Sequence, residues 1–388
     1  DSKMRQMLLD STQLNWGSIS PAIFGSLFQS VMDKEARRNL GAHYTSEKNI
    51  LKLIKPLFLD ELREEFESIK KNKKKLEAFH AKLGTLRFFD PACGCGNFLV
   101  ITYRELRLLE LDVLKALYGD QLGTSLKEVT WVNVDQFYGI ELEEFPAQIS
   151  MVAMWLIDHQ MNMMCSDAFG EYYRRLPLTK SAHITNGNAL RIDWDTVVPK
   201  KYDDKGYIES NDDLFILGNP PFGGKQFRTQ VQNADIEIVY GDMKNYASLD
   251  YVAAWYMKAS KFILGTRIRC AFVSTNSITQ GEQVSILWGH LLAKGIKIHF
   301  AHRTFRWSSE AKGKAQVYCV IIGFGVGDLS NKRLFDYETP ASEPQELKPK
   351  NICPYLIDAE DIVIESRSKP ICDVPEIVKG NQPTDDGN

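Results

Sequence analysis

The sequence predicts an α/β protein: a seven-stranded, mostly parallel sheet with helices on both faces, preceded by a small helical segment. Three observations carry this. Short apolar runs alternate with helical patterns from Leu86 onward, as in doubly wound sheets. Two of those runs, Phe88-Phe89-Asp90 and Tyr138-Gly139-Ile140-Glu141, end in an acid, and a third runs into Gly218-Asn219. Only the run near Val317–Gly323 reads as a reversed strand.

In order, residues 1–40 read as helical, with Ile23, Phe24, Leu27, Phe28 and Val31 at helical spacing. Ser46-Glu47-Lys48 opens a second helix, from Asn49 to about Ser68. The lysine-rich stretch Lys70–Lys75 then reads as a solvated face or linker. Strand candidates follow at Leu86–Asp90, Phe137–Glu141, His183–Thr185, Leu214–Leu217, Ile268–Thr275, Ile296–Ala301 and Val317–Gly323. Helical patterns separate them at Phe98–Tyr118, Pro146–Met161, Ser248–Leu264 and Val284–Leu292. An insertion is expected around Gly119–Trp131. After Gly325, Pro340, Pro344, Pro349 and Pro354 punctuate a stretch that reads as a linker. The expected organisation is a helical segment over 1–45, a catalytic domain over 46–330, and a linker or the start of a further domain over 331–388.

Composition sets bounds. With 388 residues, 44% hydrophobic and 25% charged, a sizeable core is possible. No apolar run of about 18 residues marks a membrane span. The chain opens Asp1-Ser2-Lys3, with no initiator Met and no apolar signal core, so it reads as an excised fragment. Seven scattered cysteines without a CxxC pair point to a reduced, cytoplasmic protein without a metal site. A net charge of −3 is unhelpful for nucleic-acid binding, which then requires a local basic patch or a further basic domain.

Three motifs carry chemistry. In Phe88-Phe89-Asp90-Pro91-Ala92-Cys93-Gly94-Cys95-Gly96-Asn97-Phe98, a buried strand ends in a carboxylate and a glycine-rich turn opens a helix. Such a turn lies at the carboxyl edge of a parallel sheet, where ligands bind, and Asp90 can accept from an ammonium group. Glu141, at the next strand's end, can accept both hydroxyls of a ribose. In Gly218-Asn219-Pro220-Pro221-Phe222, the prolines stiffen the chain and leave carbonyls as fixed acceptors. Asn219 adds a side-chain acceptor and Phe222 an aromatic face. An amino nitrogen held by two acceptors becomes electron-rich, and its lone pair is aimed at an electrophilic methyl group. Positioning and pre-set dipoles then do most of the work, with no strong base.

In this order, the motifs resemble the adenine-N6 class of DNA amino-methyltransferases, above all the methyltransferase part of MmeI-like single-chain restriction-modification enzymes. The resemblance covers about residues 20–380. It implies the class I S-adenosylmethionine-dependent methyltransferase fold (Rossmann-like), S-adenosyl-L-methionine as cofactor and double-stranded DNA as partner. It also implies a bacterial or archaeal cytoplasmic setting. Gly41-Ala42-His43-Tyr44-Thr45 resembles the segment whose Tyr44 and Thr45 help hold the cofactor's methionine end. Asp90, Pro91, Ala92, Gly94 and Gly96 would surround that same end, with Cys95 where a Ser is usual. Glu141 and Leu142 would face the ribose, and Asn188 and Ala189 the adenine amino group. Trp255 would pack on the adenine ring, although an amphipathic helix also places a Trp in the core. Asn219, Pro220, Pro221 and Phe222 would hold the target base.

The segment His299–Val320, with Phe305 and Trp307, resembles the wall of the target-base pocket, or is simply a hairpin of the sheet. Asn351-Ile352-Cys353-Pro354 resembles the lead-in to a target recognition domain. Full-length relatives often carry an N-terminal nuclease. Alternatives are methylation of a protein glutamine or an RNA base at the same motif, and a binding-only module. Another is a nuclease at Asp336 and Glu346-Leu347-Lys348, disfavoured because that stretch reads as proline-broken and without strands.

Overall fold

The computed structural model describes residues 2–12, 45–119, 126–170, 180–206, 208–241, 243–307, 317–365 and 372–373. Its centre is one nine-stranded sheet in the order β3-β2-β1-β4-β5-β7-β6-β8-β9. The strands are β1 (Arg87–Asp90), β2 (Phe137–Glu141), β3 (His183–Asn186), β4 (Leu214–Gly218), β5 (Arg269–Thr275), β6 (Ile296–Trp307), β7 (Val317–Val326), β8 (Arg333–Asp336) and β9 (Gln345–Leu347). Strands β1 to β5 run parallel, and β7 is antiparallel to both β5 and β6.

The expected count of seven strands is corrected to nine. Strand β8 joins the free edge of β6 in parallel, and β9 pairs antiparallel with β8. The sheet therefore runs on to Leu347, into the stretch expected to be a linker. Pro340 and Pro344 fall in the connection between the two strands, and Pro349 lies just past β9. A proline lacks an N–H for the ladder but is at home in turns and just outside strands.

Helices cover both faces. The helical chain α1 (Ser2–Thr12) stands apart in sequence from α2 (Glu47–Ile54), which passes through a π-helical turn, Lys55–Leu59, into α3 (Asp60–Ile69). Then come α4 (Lys73–Leu83), α5 (Asn97–Tyr118), α6 (Glu144–Phe169), α7 (Gln230–Tyr240), α8 (Ala253–Ile263) and α9 (Gly289–Ala293). The apolar residues expected at Ile23–Val31 lie outside the described residues. Lys71–Lys75 are exposed at the α3–α4 corner.

Alternation along the strands divides the core in two. Phe88, Phe137, Phe215 and Leu217 face one layer, packed by residues of α2 to α6. Phe89, Ile140, Leu214 and Ile216 face the other, with Trp194, Trp255 and Trp288. Successive strand side chains point to opposite faces, so a parallel strand buried on both sides is apolar throughout. Each fully buried Phe contributes about 2–3 kcal/mol of burial free energy. This layered core fixes where the strand ends lie.

Candidate active site

The ends of β1, β2, β3 and β4 lie side by side at the sheet's carboxyl edge, and the order reverses between β1 and β4. Register brings Phe89 beside Ile216, Asp90 beside Gly139, and Glu141 beside Asn186. Ligands bind at such a switch point because the loops there diverge and leave a crevice.

Asp90 is 1% exposed. Its Oδ1 accepts the Ala92 N–H at 3.0 Å, while its Oδ2 is buried without a partner. Burial pushes its pKa up to about 8; the Ala92 N–H offsets part of that, and the Glu141 charge adds to it. Gly218 is the residue that lets β4 pass so close. A Cβ there would lie 2.5 Å from Asp90 Oδ1. Gly96 opens α5 with φ +83°, and a Cβ there would meet Ser150 Oγ at 2.4 Å. The turn thus needs glycine twice over: for its left-handed conformation and for the helix behind it.

Glu141 does more than end a strand. Its Oε2 accepts the Gly94 N–H at 2.9 Å and its Oε1 the Glu143 N–H at 3.0 Å, so it also shapes the glycine turn. Burial raises its pKa, and those N–H groups counteract the rise. Each carboxylate oxygen keeps a lone pair for a hydroxyl donor. Burial, aided by Glu141, pushes the Cys95 thiol up to about 12, so it stays neutral.

At the end of β4, Asn219 donates from Nδ2 to Thr45 Oγ1 at 3.2 Å. That bond orients the amide, and its Oδ1 remains buried and unpaired. Pro220 is buried, and Pro221 and Phe222 are half-buried. The loop is held from behind: Asp250 Oδ1 accepts the Gly223 N–H at 2.9 Å, and Asp250 Oδ2 accepts from Thr275 at the end of β5.

Thr45 is buried against Asn219. Tyr44 lies outside the described residues. Pro91 is buried and Ala92 half-buried. Leu142 stands 52% exposed beyond β2, and Ala189 is buried. Asn188 accepts the Leu190 N–H on Oδ1 and donates to Asp235. Trp255 is buried in the core, and its indole N–H donates to the Pro91 carbonyl at 3.2 Å. Phe305 and Trp307 are also buried. Strand β6 runs six residues further than expected and packs Phe305 on Tyr337, at 5.5 Å, with the Lys52 ammonium 4.3 Å from its ring centre.

Sequence reasoning missed the roles of Asp235, which no motif marks, and of Asp250, which stands in the segment Ser248–Trp255 read only for its aromatic residue. The stretch around Asp336 does form strands, contrary to expectation. There, Asp336 pairs with Arg303 through both oxygens and Glu346 with Arg333. Among the described residues, no group of three or more His, Cys, Asp or Glu is arranged to hold a metal ion, and no helix is long and apolar enough to cross a membrane.

Comparison with known proteins adds a family to this geometry. The family described as "MmeI, DNA-methyltransferase domain" matches residues 66–336. DNA methyltransferase A of Bacillus subtilis (strain 168) is 42% identical over 389 residues, covering all of this chain and 42% of that protein. The solved structure of the Type IIL restriction-modification enzyme MmeI in complex with DNA superposes with a TM-score of 0.91 at 59% identity, over 100% of this chain and 51% of the other. A putative type II restriction enzyme and methyltransferase of Methanocaldococcus jannaschii is 26% identical over 168 residues, 36% of this chain and 14% of that protein. The chain thus spans about half the length, or less, of the relatives it matches. With the class I methyltransferase sheet and these matches, the chain belongs to the MmeI-type DNA-methyltransferase domain family.

Proposed function

We propose that this chain transfers a methyl group from S-adenosyl-L-methionine to the N6 amino group of adenine in double-stranded DNA. The observation that carries it is the pair of buried, unpartnered acceptors on adjacent strand ends, Asp90 Oδ2 and Asn219 Oδ1. A buried acceptor without a partner costs about 1–3 kcal/mol, so a ligand donor is the economical explanation for both.

The residues fit the cofactor. Asp90 would take its ammonium group, Gly94 leaves the backbone open beside it, and Gly96 lets the turn close against Ser150. Tyr44, Thr45, Pro91 and Ala92 would complete the methionine end. Glu141 and Leu142 would meet the ribose, and Asn188, Ala189 and Trp255 the adenine. Bound there, S-adenosylmethionine supplies an electrophilic methyl on a sulfonium.

The chain's own residues do the rest. Thr45 fixes the Asn219 amide so that its oxygen, with a proline carbonyl, accepts from the substrate amino group. Those acceptors keep the nitrogen lone pair out of the ring system and direct it. Phe222 stacks on the base, which must leave the duplex to reach the site. Membership of a DNA-methyltransferase family supports DNA over an RNA base or a protein glutamine.

Base recognition and cleavage would reside in further domains of a full-length restriction-modification enzyme, consistent with the net charge of −3 here. The region from Asn351 would lead into the recognition domain, and the protein would act in the cytoplasm of a bacterium or archaeon.

Asn219→Ala tests the assignment with radiolabelled cofactor and unmodified bacterial DNA. Cofactor binding should persist while methylation falls at least ~100-fold, the usual cost of losing one pre-set polar group. Unchanged methylation would remove Asn219 from the site.

A further inference from the structure

We infer that Asp235, on α7, is a positioning residue that couples the cofactor loop after β3 to the acceptor loop after β4. The inference rests on the reading of the site given above. Asp235 is 1% exposed, and its carboxylate accepts three hydrogen bonds. Oδ1 takes Arg191 Nε at 2.7 Å, which also balances its charge. Oδ2 is shared: Asn188 Nδ2 donates at 3.0 Å and the Tyr251 hydroxyl at 2.8 Å. Asn188 and Arg191 belong to the loop after β3, whereas Tyr251 belongs to the segment that supports the loop after β4.

From Tyr251 two contacts lead onward. Its N–H donates to the Gly223 carbonyl at 2.9 Å, one residue past Phe222. Its ring meets Trp255 edge-on at 5.2 Å, and Trp255 is bonded to Pro91, next to Asp90. One buried carboxylate therefore holds donors from both sides of the crevice. Because Asn188 and Tyr251 share a single oxygen, moving either one shifts the best position of the other. Cofactor contact at Asn188 and base contact at Phe222 are thereby linked, and any such linkage is reciprocal.

A double-mutant cycle on the dissociation constant for S-adenosylmethionine, measured calorimetrically with the whole chain, tests this. Tyr251→Phe removes one hydroxyl, on the acceptor side, yet should weaken cofactor binding about three- to tenfold. Combined with Asn188→Ala, the loss should fall short of the product of the single losses by about threefold or more. In an Asp235→Asn background the two substitutions should become additive. Turnover on DNA should fall in Tyr251→Phe as well, so that kcat and the cofactor KM move together.

Additive losses in the wild-type background, or unchanged cofactor affinity in Tyr251→Phe, would overturn the coupling. Should Asp235→Asn fail a thermal-denaturation check of folding, the wild-type cycle alone decides. Absence of S-adenosylmethionine binding by the unmutated chain would instead sink the functional reading beneath it.

Discussion

Two groups of acids are buried or half-buried in this molecule, and their charges are treated in opposite ways. Between α5 and α6, Glu110 and Asp158 flank Arg107, which is 0% exposed. Arg107 Nε lies 3.1 Å from Glu110 and Nη1 3.4 Å from Asp158, while the Tyr103 hydroxyl donates to Asp158 at 2.6 Å. Glu110 also accepts the N–H groups of Trp131 and Val132 and contacts His80 at 3.1 Å. At the sheet edge, Asp90 and Glu141 have backbone N–H donors but, among the described residues, no ion pair. Burial and mutual repulsion raise the pKa of Asp90, and burial raises that of Glu141. An acid beside a buried cation has its charge matched within the fold. An acid left without one holds capacity for something that arrives.

The largest effect is expected at the matched group. Arg107→Met strands Glu110 and Asp158 without their cation and should cost about 3–5 kcal/mol in chemical denaturation. A midpoint unmoved by the change would erase the contrast.

The edge should respond the other way. Asp90→Asn should weaken cofactor binding about ten- to hundredfold, as for the loss of a hydrogen bond to a charged group. It should not weaken the ligand-free fold. The sign follows from linkage: the folded pKa is about 8 against an ordinary 3.8, so between these values the folded state holds a proton that the unfolded state has lost. The ligand-free wild type therefore loses stability as pH rises through that window, and the Asn variant escapes this loss. The Tm of Asp90→Asn minus that of wild type should grow from pH 4 to pH 8. A flat difference would mean that Asp90 is not held protonated by its surroundings.

The smallest effect is a calibration. Lys82→Met removes an exposed pair with Glu65, 2.6 Å apart, and should change stability by less than ~1 kcal/mol. A larger loss would show that exposed pairs rival buried ones here, and would weaken the inference from Arg107.

What could be read in the sequence was whatever is contiguous in it. The strand ends at Asp90, Glu141 and Asn219 were legible because a strand, its terminal polar residue and the following turn are neighbours in the chain. The alternation of β1 to β7 followed from apolar runs alone. Asp235 and Asp250 were illegible because their partners, Asn188, Tyr251 and Thr275, meet them only in the fold. Strands β8 and β9 were hidden by prolines that read as a linker yet mark the turn between the strands and the stop after them. Phe305 and Trp307 read equally well as a pocket wall or a hairpin; the length of β6, which no periodicity fixes, decides that they are buried.

Those last two strands have a bearing on solubility. Strand β6 has twelve residues, Ile296–Trp307, and β8 covers part of the edge it turns away from β7. A chain cut at residue 330 would bare that row of backbone donors and acceptors, an invitation to pair with a neighbouring molecule. Among the described residues the sheet instead finishes on β9, three exposed residues followed by Lys348, Pro349 and Lys350. A strand so short, closed by charge and proline, offers a second molecule very little to extend. Among the described residues, that edge is one that resists stacking into aggregates.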